Sequence, residues 1–261
     1  MISTQDIKKV YGSRKVLDGV NFSAERKKIT YIFGASGGGK STLLKILIGA
    51  LKPDGGKILF NDTDITGLMG RDLDPFRKKI GMLFQHGALL NSLTVGENVG
   101  LPIKEHTNLD DNIVRIMVKM KLELVGLRDF EDLLPGQLSG GMQKRVALAR
   151  ALALDPEVVF FDEPTSGLDP IVAAVITKLI NDLNRLLGIT CIVVTHAVEE
   201  AMRVADKIVI LYMGKVLAEG TPQEIRASVN PVVQQFITGS PDGPISFHAS
   251  SKDFREDLLV G

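Results

Sequence analysis

The chain has 261 residues, 44% of them apolar, enough for one large or two small domains with a sizeable core. Lys+Arg and Asp+Glu both total 31, so the formal net charge is zero, which argues against a global electrostatic grip on nucleic acid. The single cysteine, Cys191, excludes an intrachain disulfide, and no run approaches the roughly 18 apolar residues of a spanning helix.

The opening "MISTQDIKKV" has no apolar h-region, so no secretory signal is expected and the chain reads as cytosolic. "KKITYIF" (27–33) predicts a buried strand, followed by a Gly-rich loop and a helix from about Lys40 to Gly49. "KILF" and "IGMLF" predict strands after turn signals at Asp54-Gly55-Gly56 and at Lys79. From about Leu89 to Gly136 the pattern turns helical. "DNIVRIMVKMKLELVGL" keeps Ile113, Ile116, Met117, Met120 and Leu124 in register, which predicts a helical insertion packed through that face. "EVVFFD" and "ITCIVVT" are continuous apolar runs of the kind buried on both faces of a sheet. Between them, Val172, Val175, Ile176, Leu179, Ile180, Leu183 and Leu187 define one face of a helix over 171–187. "MGK" (213–215) predicts a hairpin and "TPQE" (221–224) a capping box. Strand–helix–strand alternation implies a parallel sheet covered by helices. Residues 240–261 are rich in Ser, Pro and charge and read as a tail beyond a domain spanning 1–239.

Three stretches carry chemistry. "GASGGGKST" fits G-x-x-x-x-G-K-[ST] between a strand and a helix: Gly34, Ala35, Ser36, Gly37, Gly38, Gly39, Lys40, Ser41 and Thr42. Small residues let backbone N–H groups converge on phosphate oxygens at a helix N-terminus. Lys40 is expected to reach the terminal phosphates, and Ser41 to ligate Mg²⁺. "VVFFDE" ends an apolar strand in two adjacent acids. Asp162 suits a Mg²⁺ ligand, and Glu163, pointing elsewhere by strand alternation, suits polarisation of the attacking water. "LSGGMQKRVALARAL" (138–152) sets Ser139, Gly140 and Gly141 at a second helix N-terminus, a further phosphate site without its own lysine.

With Gln85 after "IGMLF", and with "SGLDP" and "VTHAVEEA" following in order, the sequence resembles the ABC (ATP-binding cassette) ATPases over about residues 2–226. The resemblance implies an α/β P-loop NTPase fold: a RecA-like core with a parallel sheet, an antiparallel β subdomain and a helical subdomain at about 89–136. It implies ATP and Mg²⁺ as ligands. It implies that Tyr11 stacks on adenine, that Gln85 senses Mg²⁺ and links core to insertion, that Asp169 faces a partner subunit, and that His196 contacts the γ-phosphate. It further implies that Ser139–Gly141 act on the nucleotide of a second copy, in a homodimer that sandwiches two ATP molecules. Met142 departs from the more usual glutamine and leaves the phosphate-binding residues intact.

The insertion "FQHGALLNSLTVGENVGLPIKEHTNL" (84–109), with "KLELVGL" and the tail "FITGSPDGPISF", resembles the ATPases of Mla/MCE phospholipid transporters. That resemblance implies permease subunits and an MCE-domain protein as partners, in some members a small regulatory subunit, and a place on the cytoplasmic face of a bacterial inner membrane. It implies no nucleic-acid partner and no direct lipid contact. An importer ATPase for a polar solute and a non-transport ABC ATPase are the alternatives. The spacing of Ile245, Phe247, Phe254, Leu258 and Leu259 suggests that the tail docks on the partner ATPase.

Overall fold

The computed structural model describes residues 1–245. Among the described residues, ten strands and nine α-helices follow in chain order: β1 (Ile2–Tyr11), β2 (Arg14–Ala24), β3 (Ile29–Gly34), α1 (Lys40–Leu47), β4 (Gly55–Phe60), β5 (Thr63–Asp64), α2 (Asp74–Arg77), β6 (Ile80–Leu83), α3 (Val95–His106), α4 (Asp111–Leu124), α5 (Gly140–Ala151), β7 (Val158–Asp162), α6 (Pro170–Leu187), β8 (Thr190–Val194), α7 (Val198–Val204), β9 (Lys207–Tyr212), β10 (Lys215–Gly220), α8 (Pro222–Arg226) and α9 (Pro231–Thr238). None of these helices is long and apolar enough to cross a membrane.

Six strands form the central sheet in the order β10-β9-β3-β8-β7-β6, parallel except for the edge hairpin partner β10. The period-2 alternation of a strand divides its side chains between two cores. Tyr31, Phe33, Val159, Phe161, Cys191 and Val193 face the core shared with α3, α4, α5 and α6. Ile32, Val158, Phe160, Ile192 and Val194 face the core shared with α1 and the second sheet. Both faces are thus covered, which is why the runs read as continuous apolar residues. Met213 and Gly214 adopt φ 48° and 75°, the left-handed pair that a two-residue β9–β10 turn requires. Thr221 and Glu224 form the expected capping box of α8.

The second sheet, β2-β1-β4-β5, is antiparallel. No sequence pattern marks β1 and β2, because their pairing slips register between Thr4 and Ile7, between Ile7 and Lys8, and again between Lys9 and Val10. Such bulges break the alternation by which a strand is recognised.

Two helix faces differ from expectation. On α4 the packed residues are Val114, Val118 and Leu122, while Ile113, Ile116 and Met120 are exposed. Both sets recur at helical spacing, so periodicity alone does not choose between them. α3 and α5 pack against the valine face, joined by Val125. On α6 the buried apolar stripe narrows to Ile176, Ile180 and Leu183, and Val175 and Leu187 are exposed.

Of the tail, only residues 240–245 are described: Ile245 N–H donates to Gln235 Oε1 at 2.7 Å, and Gln235 Nε2 donates back to Ile245 O at 3.2 Å. Phe247, Phe254, Leu258 and Leu259, on which the docking expectation rests, lie outside the described residues.

Candidate functional site

The carboxyl ends of β3, β8, β7 and β6 lie side by side, so the loops leaving them converge at one edge of the sheet. A cleft of about 560 Å³ opens there. It is lined by Ser36, Gly37, Lys40 and Ser41 after β3, Gln85 after β6, Asp162 and Glu163 after β7, and Thr195 and His196 after β8. Parallel strand order thus gathers residues that are spread over most of the sequence.

The loop Gly34–Gly39 turns sharply, with Gly38 N–H donating to Ala35 O at 3.0 Å. Gly39 caps α1 at φ 99°, and a Cβ there would lie 2.6 Å from Leu17 Cδ2 and 2.8 Å from Val16 O. Only glycine fits here, at the start of a helix whose first N–H groups have no partner within it. Lys40 is buried in the first turn and donates to Gly34 O at 2.8 Å and Ala35 O at 3.2 Å. Burial lowers its pKa, opposed by the charges of Glu163 and Asp162. Ser41 is exposed to the cleft, and Thr42, next in α1, is half-buried.

Asp162 is the last residue of β7. Burial, and then the charge of Glu163, pushes its carboxyl above the usual range, against the pull of Lys45 and Lys40. Glu163 diverges from it for a reason other than strand alternation. The strand has ended, and Glu163 sits at φ 48° in the left-handed region, its N–H donating to Val194 O at 2.8 Å. A non-glycine residue held in this region carries a cost that the surroundings must offset, and such residues concentrate at functional sites. The side chain then faces His196: His196 N–H donates to Glu163 Oε2 at 3.3 Å, and Nε2 lies 3.5 Å from Oε1. Thr195 Oγ1 accepts from Ala197 N–H at 3.0 Å and fixes the turn into α7.

The remaining expected residues stand apart from the cleft lining. Ser139 caps α5 by accepting from Met142 N–H at 3.3 Å, and Ser139 and Gly140 are exposed. Gly141 is buried, and a Cβ on it would meet Val172 Cγ1 at 2.5 Å, so glycine is what lets α5 close on α6. Asp169 is exposed and caps α6, Oδ1 accepting from Ile171 and Val172 N–H at 3.0 Å each. Tyr11 ends β1, half exposed, with Lys9 Nζ 5.7 Å from its ring centroid. The same β1–β2 turn brings Arg14 to the loop: a Cβ at Gly37 would lie 3.2 Å from Arg14 Nη2.

Sequence patterns did not single out two basic residues of α5. Lys144 reaches the turn after β7, and Arg150 donates to Gly87 O and Ala88 O at 2.8 Å each, just beyond Gln85. Both lie inside "LSGGMQKRVALARAL"; a long basic side chain on an otherwise buried helix was the available signal. Beside Arg150 a groove of about 450 Å³ runs between the β6 edge and α3, lined by Met82, Phe84, Ala88, Leu90, Leu101 and Pro102.

The oxygens offered at the strand ends suit one hard cation. Ser41, Gln85 and Asp162 supply a hydroxyl, an amide and a carboxylate, a sparse donor set of the kind Mg²⁺ completes with waters and substrate phosphates. Among the described residues, no three or more His, Cys, Asp or Glu cluster as an all-protein metal cage would require.

Comparison with known proteins agrees with this geometry. Residues 17–166 match the family model described as ABC transporter. The chain is 48% identical over 248 residues to the intermembrane phospholipid transport system ATP-binding protein MlaF of Haemophilus influenzae, covering 95% of this chain and 94% of that protein. It is 44% identical over 261 residues to the protein of the same name in Escherichia coli K12, covering 100% of this chain and 97% of that one. Among solved structures, the ATP-binding cassette MJ0796, a dimer in a post-hydrolysis state bound to ADP and Pi, superposes with a TM-score of 0.78 at 33% identity, over 85% of this chain and 99% of that one. The strand-end cleft, the two glycine-rich helix starts and these matches lead to one conclusion: the chain belongs to the ABC transporter family, as an ATP-hydrolysing subunit.

Proposed function

We propose that this chain powers the movement of phospholipid between the membranes of a bacterial envelope, as one of two identical ATPase subunits on the cytoplasmic face of the inner membrane. The observation that carries the reading is the near-full-length match, at 48% and 44% identity, to two proteins described as ATP-binding components of an intermembrane phospholipid transport system; a cleft lined by Lys40, Ser41, Gln85, Asp162, Glu163 and His196 supports it.

In this reading the N–H groups of Gly34–Thr42 cradle the phosphates of ATP and Lys40 neutralises the β- and γ-phosphates. Ser41, Gln85 and Asp162 would hold Mg²⁺, Asp162 through a water; the chemistry a bound Mg²⁺ supplies there is charge neutralisation on the terminal phosphates. Glu163 accepts a proton from the attacking water, and His196 donates to the γ-phosphate while holding Glu163 in place. Tyr11 stacks on adenine. Ser139, Gly140 and Gly141 face the nucleotide of the second copy, with Asp169 at the same interface. ATP joins the two copies and its hydrolysis releases them.

The groove beside Gln85 is the seat of a cytoplasmic helix of the permease. Its exposed Phe84 and Leu90 are apolar anchors, and Arg150 ties the loop after Gln85 to α5. An MCE-domain protein completes the complex, and a small regulatory subunit is a further candidate partner. The chain itself touches neither lipid nor nucleic acid.

Affinity purification of the tagged chain from detergent-solubilised membranes tests the assignment. Recovery of a permease together with an MCE-domain protein is expected. Recovery of a permease with a polar-solute-binding protein would replace it with the importer reading.

A further inference from the structure

Lys144 is a buried lysine on α5 with no part in the chemistry so far described. Its ammonium donates to three backbone carbonyls of one turn: Pro164 O at 2.8 Å, Ser166 O at 2.8 Å and Glu163 O at 3.3 Å. An ammonium has three donors and no acceptor, so three converging carbonyls satisfy it completely. No acidic side chain pairs with Lys144 at salt-bridge distance among the described residues, so the structure uses the group as a clamp on backbone. Burial lowers its pKa, and Glu163 is the charge that opposes this.

The clamped turn carries Glu163. It is held at one side by Glu163 N–H on Val194 O at 2.8 Å and at the other by Lys144, and between these anchors Glu163 keeps its left-handed φ of 48°. A residue in this region stays there only while its surroundings impose it. Lys144 lies one helical turn along α5 from Gly140 and Gly141, and the first turn of α5 is wedged on Val172 of α6. At its far end α5 holds the loop after Gln85 through Arg150. One rigid helix therefore touches the second phosphate site, the turn of Glu163 and the loop of Gln85.

We propose that Lys144 is a positioning residue for hydrolysis: it makes the turn that aims Glu163 move as one body with the helix that meets the partner's nucleotide. Loss of the three donors frees that turn and with it the aim of Glu163. The inference rests on the roles given above to Glu163 and to Ser139–Gly141.

The test uses the full chain in the complex with which it purifies, comparing Lys144→Met, Lys144→Arg and Glu163→Gln. Lys144→Met keeps the length and removes all three donors, and is expected to lower kcat roughly 10- to 100-fold through misplacement of Glu163, with KM and nucleotide binding within about twofold. Lys144→Arg restores donors in a planar fork and should recover a substantial part of kcat. Should Lys144→Met not yield folded protein, Lys144→Gln, which keeps a single donor group, takes its place. An unchanged kcat in Lys144→Met would overturn the proposal. So would equal losses in the Met and Arg variants that track a fall in melting temperature, since those mark a lysine that only stabilises the fold. Failure of the Glu163 assignment shows separately, as retained turnover in Glu163→Gln.

Discussion

His196 and Glu163 meet across the ends of β8 and β7, with the imidazole Nε2 3.5 Å from one carboxylate oxygen and the His196 backbone N–H 3.3 Å from the other. The histidine side chain is 55% exposed and the glutamate 15%, and both line the same cleft. His196→Ala keeps the backbone donor to Glu163 and removes only the side chain. Turnover is expected to fall roughly 10²-fold, the usual effect of losing one preorganised donor, with nucleotide affinity nearly unchanged. Steady-state ATPase rates beside equilibrium nucleotide binding measure both.

Gly141 is the point where α5 closes on α6. Because Val172 is β-branched and stiff on a helix, the Cβ of Gly141→Ala, 2.5 Å from Val172 Cγ1, has to separate the two helices. A destabilisation of roughly 1–3 kcal/mol is expected. Val172→Ala in the same chain should return most of it, which a double-mutant cycle of denaturant melts reads directly.

The two faces of α4 respond oppositely to charge. Met120→Lys falls on an exposed position and should alter stability by no more than about 0.5 kcal/mol. Val118→Lys buries an unpaired charge between α3 and α4 and should cost on the order of 3 kcal/mol or more. Thermal denaturation of the two variants decides the register.

Photocrosslinking from the groove beside Gln85 tests coupling. A crosslinker at Leu90 or Leu101 is expected to capture a cytoplasmic helix of the permease, and Leu90→Glu to weaken assembly without changing the monomer's fold. Crosslinks to the permease only from the exposed face of α4 would place the contact elsewhere.

The strand-end cleft was legible in the sequence because its pattern fixes residue type as well as spacing: glycines where backbone approaches closely, a lysine at the helix start, acids after an apolar strand. The parallel core was legible for the same reason, since β-branched runs such as "EVVFFD" have one plausible home. What stayed hidden depends on contacts between distant residues. Nothing local marks Glu163 as left-handed; that conformation comes from its ties to Val194 and Lys144. α4 carries apolar residues on two faces, and only its neighbours choose between them. β1 and β2 were unmarked because their register slips erase the alternation.

The claim that the account depends on most is that Glu163 polarises the attacking water while the rest of the cleft binds ATP without it. Glu163→Gln preserves shape and hydrogen bonding to His196 and removes the proton acceptor. Measured on the purified complex, ATP binding should persist, the two copies should remain joined in the presence of ATP, and turnover should fall by about 10²-fold or more. Turnover near that of the unsubstituted chain would contradict the account.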